Sequence, residues 1–84
     1  MHVQVKLFAS FREAVGSREL EWELGDSASV QDLLKALIAR YPALAVTLDQ
    51  GLVAVNHEYV AHDAPLAHGD EVGLIPPVSG GEGL

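Results

Sequence analysis

The chain has 84 residues, of which 49% are hydrophobic and 20% charged, so it is long enough for one small domain and too apolar for a disordered tail. Twelve acidic residues against five basic ones give a net charge of −7. This balance argues against a nucleic-acid binder, because phosphate neutralisation needs clustered Lys and Arg. The sequence has no cysteine, which excludes disulfides, thiolate metal sites and a cysteine nucleophile.

The predicted fold opens with two strands. Residues 2–8 (HVQVKLF) alternate between apolar and polar side chains, and residues 18–24 (RELEWEL) do the same, which is the period of a half-buried strand. Between them, residues 9–15 fit a short helix that ends at Gly16. Antiparallel pairing of the two strands is the simplest geometry, and Trp22 is expected to anchor the core.

The strongest helix signal follows. Ser29 can cap the helix and Asp32 stands three residues later, which is the spacing of a capping box. The apolar residues then recur with a helical period and form one stripe that can cover a sheet face. Pro42 predicts the end of the helix. The stripe consists of Val30, Leu33, Leu34, Leu37, Ile38 and Tyr41.

The second half predicts further short strands. Residues 52–56 read as a strand, Asn56 and His57 suit a turn, and residues 59–61 fit a short edge strand. Residues 63–70 read as a loop with one helical turn over 65–67.

The last strand is predicted over residues 71–75 and is ended by two prolines. The whole order predicts an α+β fold, in which a mixed sheet of four to five strands packs on one main helix. The first strand should lie centrally, beside the last and parallel to it. We expect a domain over 1–78 and a flexible C-terminal tail over 79–84.

Charge is divided unevenly along the chain. All basic residues precede position 41, and the second half carries acidic residues without a Lys or Arg. A surface built from that half would be negative and would attract a basic partner. The alternative is a solvated acidic surface that keeps a small protein soluble. The basic residues are Lys6, Arg12, Arg18, Lys35 and Arg40.

Two kinds of site are not indicated. His57, His62 and His68 are five and six residues apart, which matches no metal-ligand spacing, so we expect ordinary surface histidines and no metal site. Ser79 has no His and acid at a recognisable spacing and is not expected to act as a nucleophile. No apolar run approaches the ~20 residues that cross a bilayer, and the first residues lack a secretory signal pattern. We therefore expect a cytoplasmic protein that binds neither membrane nor nucleic acid.

The C-terminus is the remaining candidate site. Pro76 and Pro77 direct the chain away from the sheet in an extended form, and Val78 offers one apolar side chain. Gly80 and Gly81 let the backbone enter a channel too narrow for a Cβ. A tail of this kind suits a partner enzyme that modifies a terminal carboxylate, whereas a frayed terminus without a role is the alternative.

Three segments resemble the MoaD family: VKLFASFREAVG (5–16), AVNHEYV (54–60) and PLAHGDEVGLIPPVSGG (65–81). The family comprises small subunits of molybdopterin synthase, which are ubiquitin-like sulfur carriers with the β-grasp fold. The resemblance extends over residues 3–81 and implies that fold for this chain.

The resemblance also implies a mechanism. An E1-like, MoeB-like adenylating enzyme uses ATP to activate the carboxylate of the second glycine, which matches Gly81, and a sulfur donor converts the adenylate to a thiocarboxylate. The tail, matching Ser79 and Gly80 with the residues before them, then enters the MoaE-like large subunit of molybdopterin synthase and donates sulfur to a pterin precursor. The chain itself would bind no cofactor and have no active site.

One departure from the family pattern lies at the end of the chain. Family members end at the two glycines, whereas Glu82, Gly83 and Leu84 follow Gly81 here. The mechanism then requires a processing peptidase, and without trimming the chain would be inactive as a carrier. A carrier for tRNA thiolation or amino-acid biosynthesis, a ubiquitin-like modifier and a non-thiolated binding module are the alternatives.

A partner would need a surface on the domain as well as the tail. We expect an apolar patch with an acidic rim on the exposed sheet face, with Phe8 and Leu74 as candidate members.

Overall fold

Strand pairing defines the architecture of the computed structural model, which describes residues 1–77. Within these residues, five strands form one mixed sheet in the spatial order β2-β1-β5-β3-β4. β5 lies in the centre and β1 lies beside it as an interior strand, antiparallel to β2 and parallel to β5, while β3 is antiparallel to both β5 and β4. The strands are β1 (His2–Leu7), β2 (Glu19–Glu23), β3 (Leu52–Val55), β4 (Glu58–Val60) and β5 (Glu71–Ile75).

Two α-helices and two short 3₁₀ helices complete the described chain. α1 (Ala9–Val15) follows β1, and α2 (Val30–Arg40) connects β2 to the 3₁₀ segments at Pro42–Val46 and Leu48–Gln50. This arrangement confirms the predicted α+β fold, including the parallel pairing of the first strand with the last.

The core lies between α2 and one face of the sheet. Four stripe residues of α2, at positions 30, 33, 34 and 37, are buried against inward-facing side chains of β1, β3 and β5, and Ile38 and Tyr41 are half-buried. Phe11 of α1 closes one end of the core. Burying a side chain of this size stabilises the fold by about 1.5–3 kcal/mol. Trp22, expected as a core anchor, is half-buried and packs against the core without being part of it. The buried strand residues are Val3, Val5, Leu7, Val53, Val72 and Leu74.

The start of α2 and the end of α1 both form as the sequence predicts. The Ser29 hydroxyl accepts a hydrogen bond from the Asp32 amide, and the Asp32 carboxylate accepts one from the Ser29 amide at 2.8 Å, which confirms the capping box. α1 ends at Gly16, whose φ of 86° lies in the left-handed region that favours glycine. No helix within residues 1–77 has the length and apolar character required to cross a membrane.

The turn between β3 and β4 also lies where the sequence predicts it. Asn56 and His57 both have positive φ, 52° and 73°, as the two central residues of a tight hairpin turn require.

The helical turn predicted over residues 65–67 is wrong. Pro65 instead forms an isolated antiparallel bridge with Ser29, and the Leu66 amide donates to the Ala28 carbonyl at 3.0 Å. The physical reason is burial: Leu66 is 7% exposed, and an extended backbone inserts this side chain into the core.

Candidate functional site

The sheet has one face that no helix of the described chain covers. Because side chains alternate along a strand, residues between the buried positions point to this open face. Lys6, Gly73, Ala54 and Tyr59 follow one another across four strands in a single row of paired residues. The middle of this row therefore carries almost no side chain.

Large apolar side chains surround this low point. Phe8, Leu52 and Tyr59 are 42%, 53% and 71% exposed. Leu52 pairs with Ile75 across β3 and β5 on the same face. We call Phe8, Leu52, Tyr59 and Ile75 the apolar patch.

The patch encloses an open hollow of about 300 Å³. Its floor is formed by Gly73 and Ala54, and its walls include Phe8, Tyr59 and Ile75. An exposed apolar patch with a hollow at its centre is typical of a surface that receives a side chain of a partner protein.

Charged side chains border the hollow on one side. Glu71 lies 3.6 Å from the Lys6 ammonium through Oε1 and 3.6 Å from Nε2 of His57 through Oε2. Lys6 is thereby held at the edge of the patch. Partly exposed pairs of this kind contribute about 0–1 kcal/mol to stability, so their main effect is on the charge seen by a partner.

The C-terminal segment begins at the patch. β5 ends at Ile75, Pro76 is half-buried and Pro77 is exposed. The Phe8 amide donates to the Leu74 carbonyl at 3.2 Å, which ties the end of β1 to the end of β5. A partner that contacts the patch would therefore also be close to the start of the tail.

The structure reaches only part of the predicted site. Val78, Ser79, Gly80 and Gly81 lie outside the described residues, so their roles in threading and activation stay predictions.

The two candidate patch residues have opposite outcomes. Phe8 is exposed, as expected, but the expectation for Leu74 is wrong, because its side chain is fully buried against the core. Ile75, the next residue, faces outward instead. Leu52 and Tyr59 were not singled out from the sequence, although alternation from a buried Val53 would have placed Leu52 on the open face.

Within residues 1–77, no group of three or more His, Asp or Glu side chains is arranged to hold a metal ion. The pKa of Asp32 is lowered, chiefly because its carboxylate accepts the backbone hydrogen bond of Ser29 at the start of α2. This group caps a helix and has no part in the open face.

Comparison with known proteins gives a family. The model of the ThiS family matches residues 5–81. The "Molybdopterin synthase sulfur carrier subunit" of Chlamydomonas reinhardtii is 45% identical over 83 residues, covering 96% of this chain and 100% of that protein. "Small archaeal modifier protein 3" of Haloferax volcanii is 34% identical, covering 96% of this chain and 100% of that protein.

Solved structures agree with this grouping. SAMP1 from Haloferax volcanii has a TM-score of 0.85 and 37% identity, covering 96% of this chain and 100% of that chain. A chain in the complex of subunits 1 and 2 of the molybdopterin-converting factor from Helicobacter pylori has a TM-score of 0.66 and 24% identity, covering 96% and 100%, and shows likeness of fold alone. The expected ubiquitin-like β-grasp fold is thereby confirmed.

Proposed function

Because the chain belongs to the ThiS family, we propose that it is the sulfur carrier and small subunit of a molybdopterin synthase, with sulfur held as a thiocarboxylate on Gly81. The observation that carries the proposal is the extent of the family match, which runs through the sheet and ends at residue 81, the second glycine. The 45% identity to a sulfur carrier subunit over 96% of the chain supports the same role.

The chemistry requires a free carboxylate at Gly81. An oxygen of this carboxylate attacks the α-phosphate of ATP in an E1-like adenylating partner, and pyrophosphate leaves. A sulfur nucleophile then attacks the acyl carbon and displaces AMP, which is a far better leaving group than the oxygen of a carboxylate. ATP is bound by the partner, and the chain itself supplies only the carboxyl group.

The carboxylate must first be exposed. Glu82, Gly83 and Leu84 follow Gly81, whose carbonyl is therefore part of a peptide bond. We propose that a peptidase cleaves after Gly81, since adenylation cannot begin from an amide.

The open face supplies the docking surface in this proposal. The large subunit of molybdopterin synthase covers the apolar patch of Phe8, Leu52, Tyr59 and Ile75, and the tail enters that subunit from the edge of the patch. Apolar side chains that surround a hollow are suited to binding, because their burial removes apolar surface from water. The occurrence of a chain with this fold in a complex of subunits 1 and 2 of a molybdopterin-converting factor supports such a pairing.

Intact mass spectrometry of protein made in its native host tests the proposal. We expect a species that ends at Gly81. After incubation with the adenylating enzyme, ATP and a sulfur donor, its mass should rise by the difference between one sulfur and one oxygen atom. A Gly81→Ala variant should lose this conversion and keep its fold, because the tail follows the last strand of the core. Protein that always ends at Leu84 and never gains sulfur would contradict the proposal.

A ubiquitin-like modifier is the second candidate. The 34% identity to small archaeal modifier protein 3 and the TM-score of 0.85 to SAMP1 favour it. A modifier predicts isopeptide bonds between Gly81 and lysines of other proteins, which mass spectrometry of tryptic peptides from the host would detect. The molecule that accepts the sulfur distinguishes this role from that of sulfur carriers in other pathways. Only a molybdopterin synthase subunit restores molybdopterin synthesis when it is combined with the large subunit.

A further inference from the structure

A second open hollow, of about 260 Å³, lies where β1, α1 and the start of β2 meet. Three of the five basic residues of the chain line it, which is a local concentration of positive charge on a protein with a net charge of −7. We call it the basic hollow. Its lining residues are Lys6, Leu7, Phe8, Arg12, Arg18 and Glu19.

The two arginines of the basic hollow are not neutralised within residues 1–77. In this part of the chain neither Arg12 nor Arg18 forms an ion pair. The Nε–H of Arg12 is also buried without a hydrogen-bond acceptor there. An external acceptor would offset the cost of this buried donor, because no acceptor of the described chain satisfies it.

The other charged groups of the hollow are already engaged. Lys6 lies 3.6 Å from Glu71, and Oε1 of Glu19 accepts a hydrogen bond from the side-chain Nε2 of Gln4 at 2.6 Å. The arginines are therefore the cations available for a ligand. Glu19 adds a negative charge to the rim of the hollow. This charge repels a multiply charged anion more strongly than it repels a single carboxylate.

The basic hollow is continuous with the apolar patch, since Phe8 and Lys6 line both hollows. We propose that it receives a Glu or Asp side chain of the protein that covers the apolar patch, an inference that rests on the docking proposed above. Arg12 and Arg18 pair with this carboxylate, and an arginine suits that task because its planar guanidinium can donate two parallel hydrogen bonds. Pairing fixes the orientation of the partner on the patch and so aims the tail.

Charge reversal at Arg18 tests the proposal, because this side chain is exposed and its loss does not disturb the core. The matched control is Lys35→Glu, which makes the same change of charge on the exposed side of α2. Binding of the full chain to the purified large subunit of molybdopterin synthase from the same genome is measured by calorimetry. We expect Arg18→Glu to weaken binding roughly tenfold or more, and Lys35→Glu to stay within about twofold.

Salt and rescue identify the interaction as a charge pair. The loss caused by Arg18→Glu should shrink between about 0.1 M and about 1 M salt, as the screening length falls from about 10 Å to about 3 Å. Replacing acidic residues of the large subunit by Lys, one at a time, should yield one variant that restores binding to Arg18→Glu.

The outcomes separate this inference from the proposed function. If the wild type binds the large subunit and Arg18→Glu binds equally well, the inference alone is overturned. If the wild type does not bind, the docking proposal and the inference fall together. Saturable binding of inorganic phosphate to the free chain, observed as amide shifts of Arg12 and Arg18, would assign the hollow to a small anion and would also overturn the inference.

Discussion

Phe8 lies directly over Gly73: a Cβ built on the glycine would stand 3.4 Å from Cε2 of the phenylalanine ring. The other near atom is the carbonyl oxygen of Ala54, at 3.9 Å. Both distances are ordinary van der Waals contacts, so one methyl group fits and a larger side chain does not fit without moving the ring. The shape of the apolar patch thus depends on the absence of a side chain at one position of β5.

Filling the hollow should impair docking without harming the fold. In Gly73→Val, the branched side chain occupies the hollow and displaces Phe8, while valine itself favours a strand. We expect an unchanged or higher melting temperature and roughly tenfold weaker binding to the large subunit, measured by calorimetry. Gly73→Ala is the control and should bind within about threefold of the wild type. Equal binding by both variants and the wild type would mean that no partner side chain enters the hollow.

Gly51 is required for packing at the end of β5. A Cβ at this position would stand 2.5 Å from the carbonyl oxygen of Ile75 and 3.2 Å from Cε2 of Phe11, so the backbone must shift to admit it. We expect Gly51→Ala to lower the free energy of unfolding by about 1–3 kcal/mol in urea titrations.

Gly25→Ala is the matched control for this change. Nothing lies within 4 Å of a Cβ at Gly25, and its φ is not positive. The substitution should therefore leave stability unchanged or raise it by up to about 1 kcal/mol, through a lower entropy of the unfolded chain. Equal free energies of unfolding for Gly51→Ala and Gly25→Ala would contradict the close approach of Gly51 to the Ile75 carbonyl oxygen.

The sequence predicted the elements that have strong periodic signals. The alternation of residues 2–8 and the stripe of α2 each bury one continuous apolar face, so local pattern and tertiary packing agree. Local periodicity could not predict the extended form of residues 65–67, because that form is set by a long-range bridge of Pro65 to Ser29.

The sequence predicted an apolar patch on the exposed sheet face, but of its two candidate members only Phe8 belongs to it. Leu74 and Ile75 are adjacent apolar residues, and only the pairing of β5 with β1 and β3 decides which of them faces the core. Phe8 follows the buried Leu7, and the alternation of residues 2–8 places it on the open face, where it is exposed. The basic hollow was not predicted, since it joins Lys6 of β1 to Arg12 of α1 and Arg18 before β2.

Asn56 should stabilise the β3–β4 hairpin through its side chain as well as its backbone. Its Nδ2 donates to Asp70 at 2.9 Å, and its Oδ1 accepts from the Glu71 amide at 3.0 Å. Asn56→Ala loses both bonds and places alanine at a φ of 52°, so we expect a loss of about 2 kcal/mol in unfolding free energy. Asn56→Gly loses the same bonds without the backbone strain and should cost about 1 kcal/mol. If Asn56→Ala is no less stable than Asn56→Gly, backbone strain contributes nothing at this turn.

The carboxylate of Asp32, which caps α2, should make the protein less stable in acid. The backbone hydrogen bond from Ser29 lowers the pKa of Asp32 below its usual value of 3.8, so the folded state binds this proton less tightly than the unfolded state. The stabilisation is therefore present above the unfolded pKa and is lost as pH falls through the lower, folded pKa. Asp32→Asn should be less stable than the wild type at neutral pH, and the two unfolding free energies should converge below about pH 4. Asp63→Asn removes an equal charge from a side chain that forms no hydrogen bond or ion pair within residues 1–77, and it should match the wild type in stability at neutral pH. A stability difference between Asp32→Asn and the wild type that stays constant into acid would contradict the role of the ionised carboxylate.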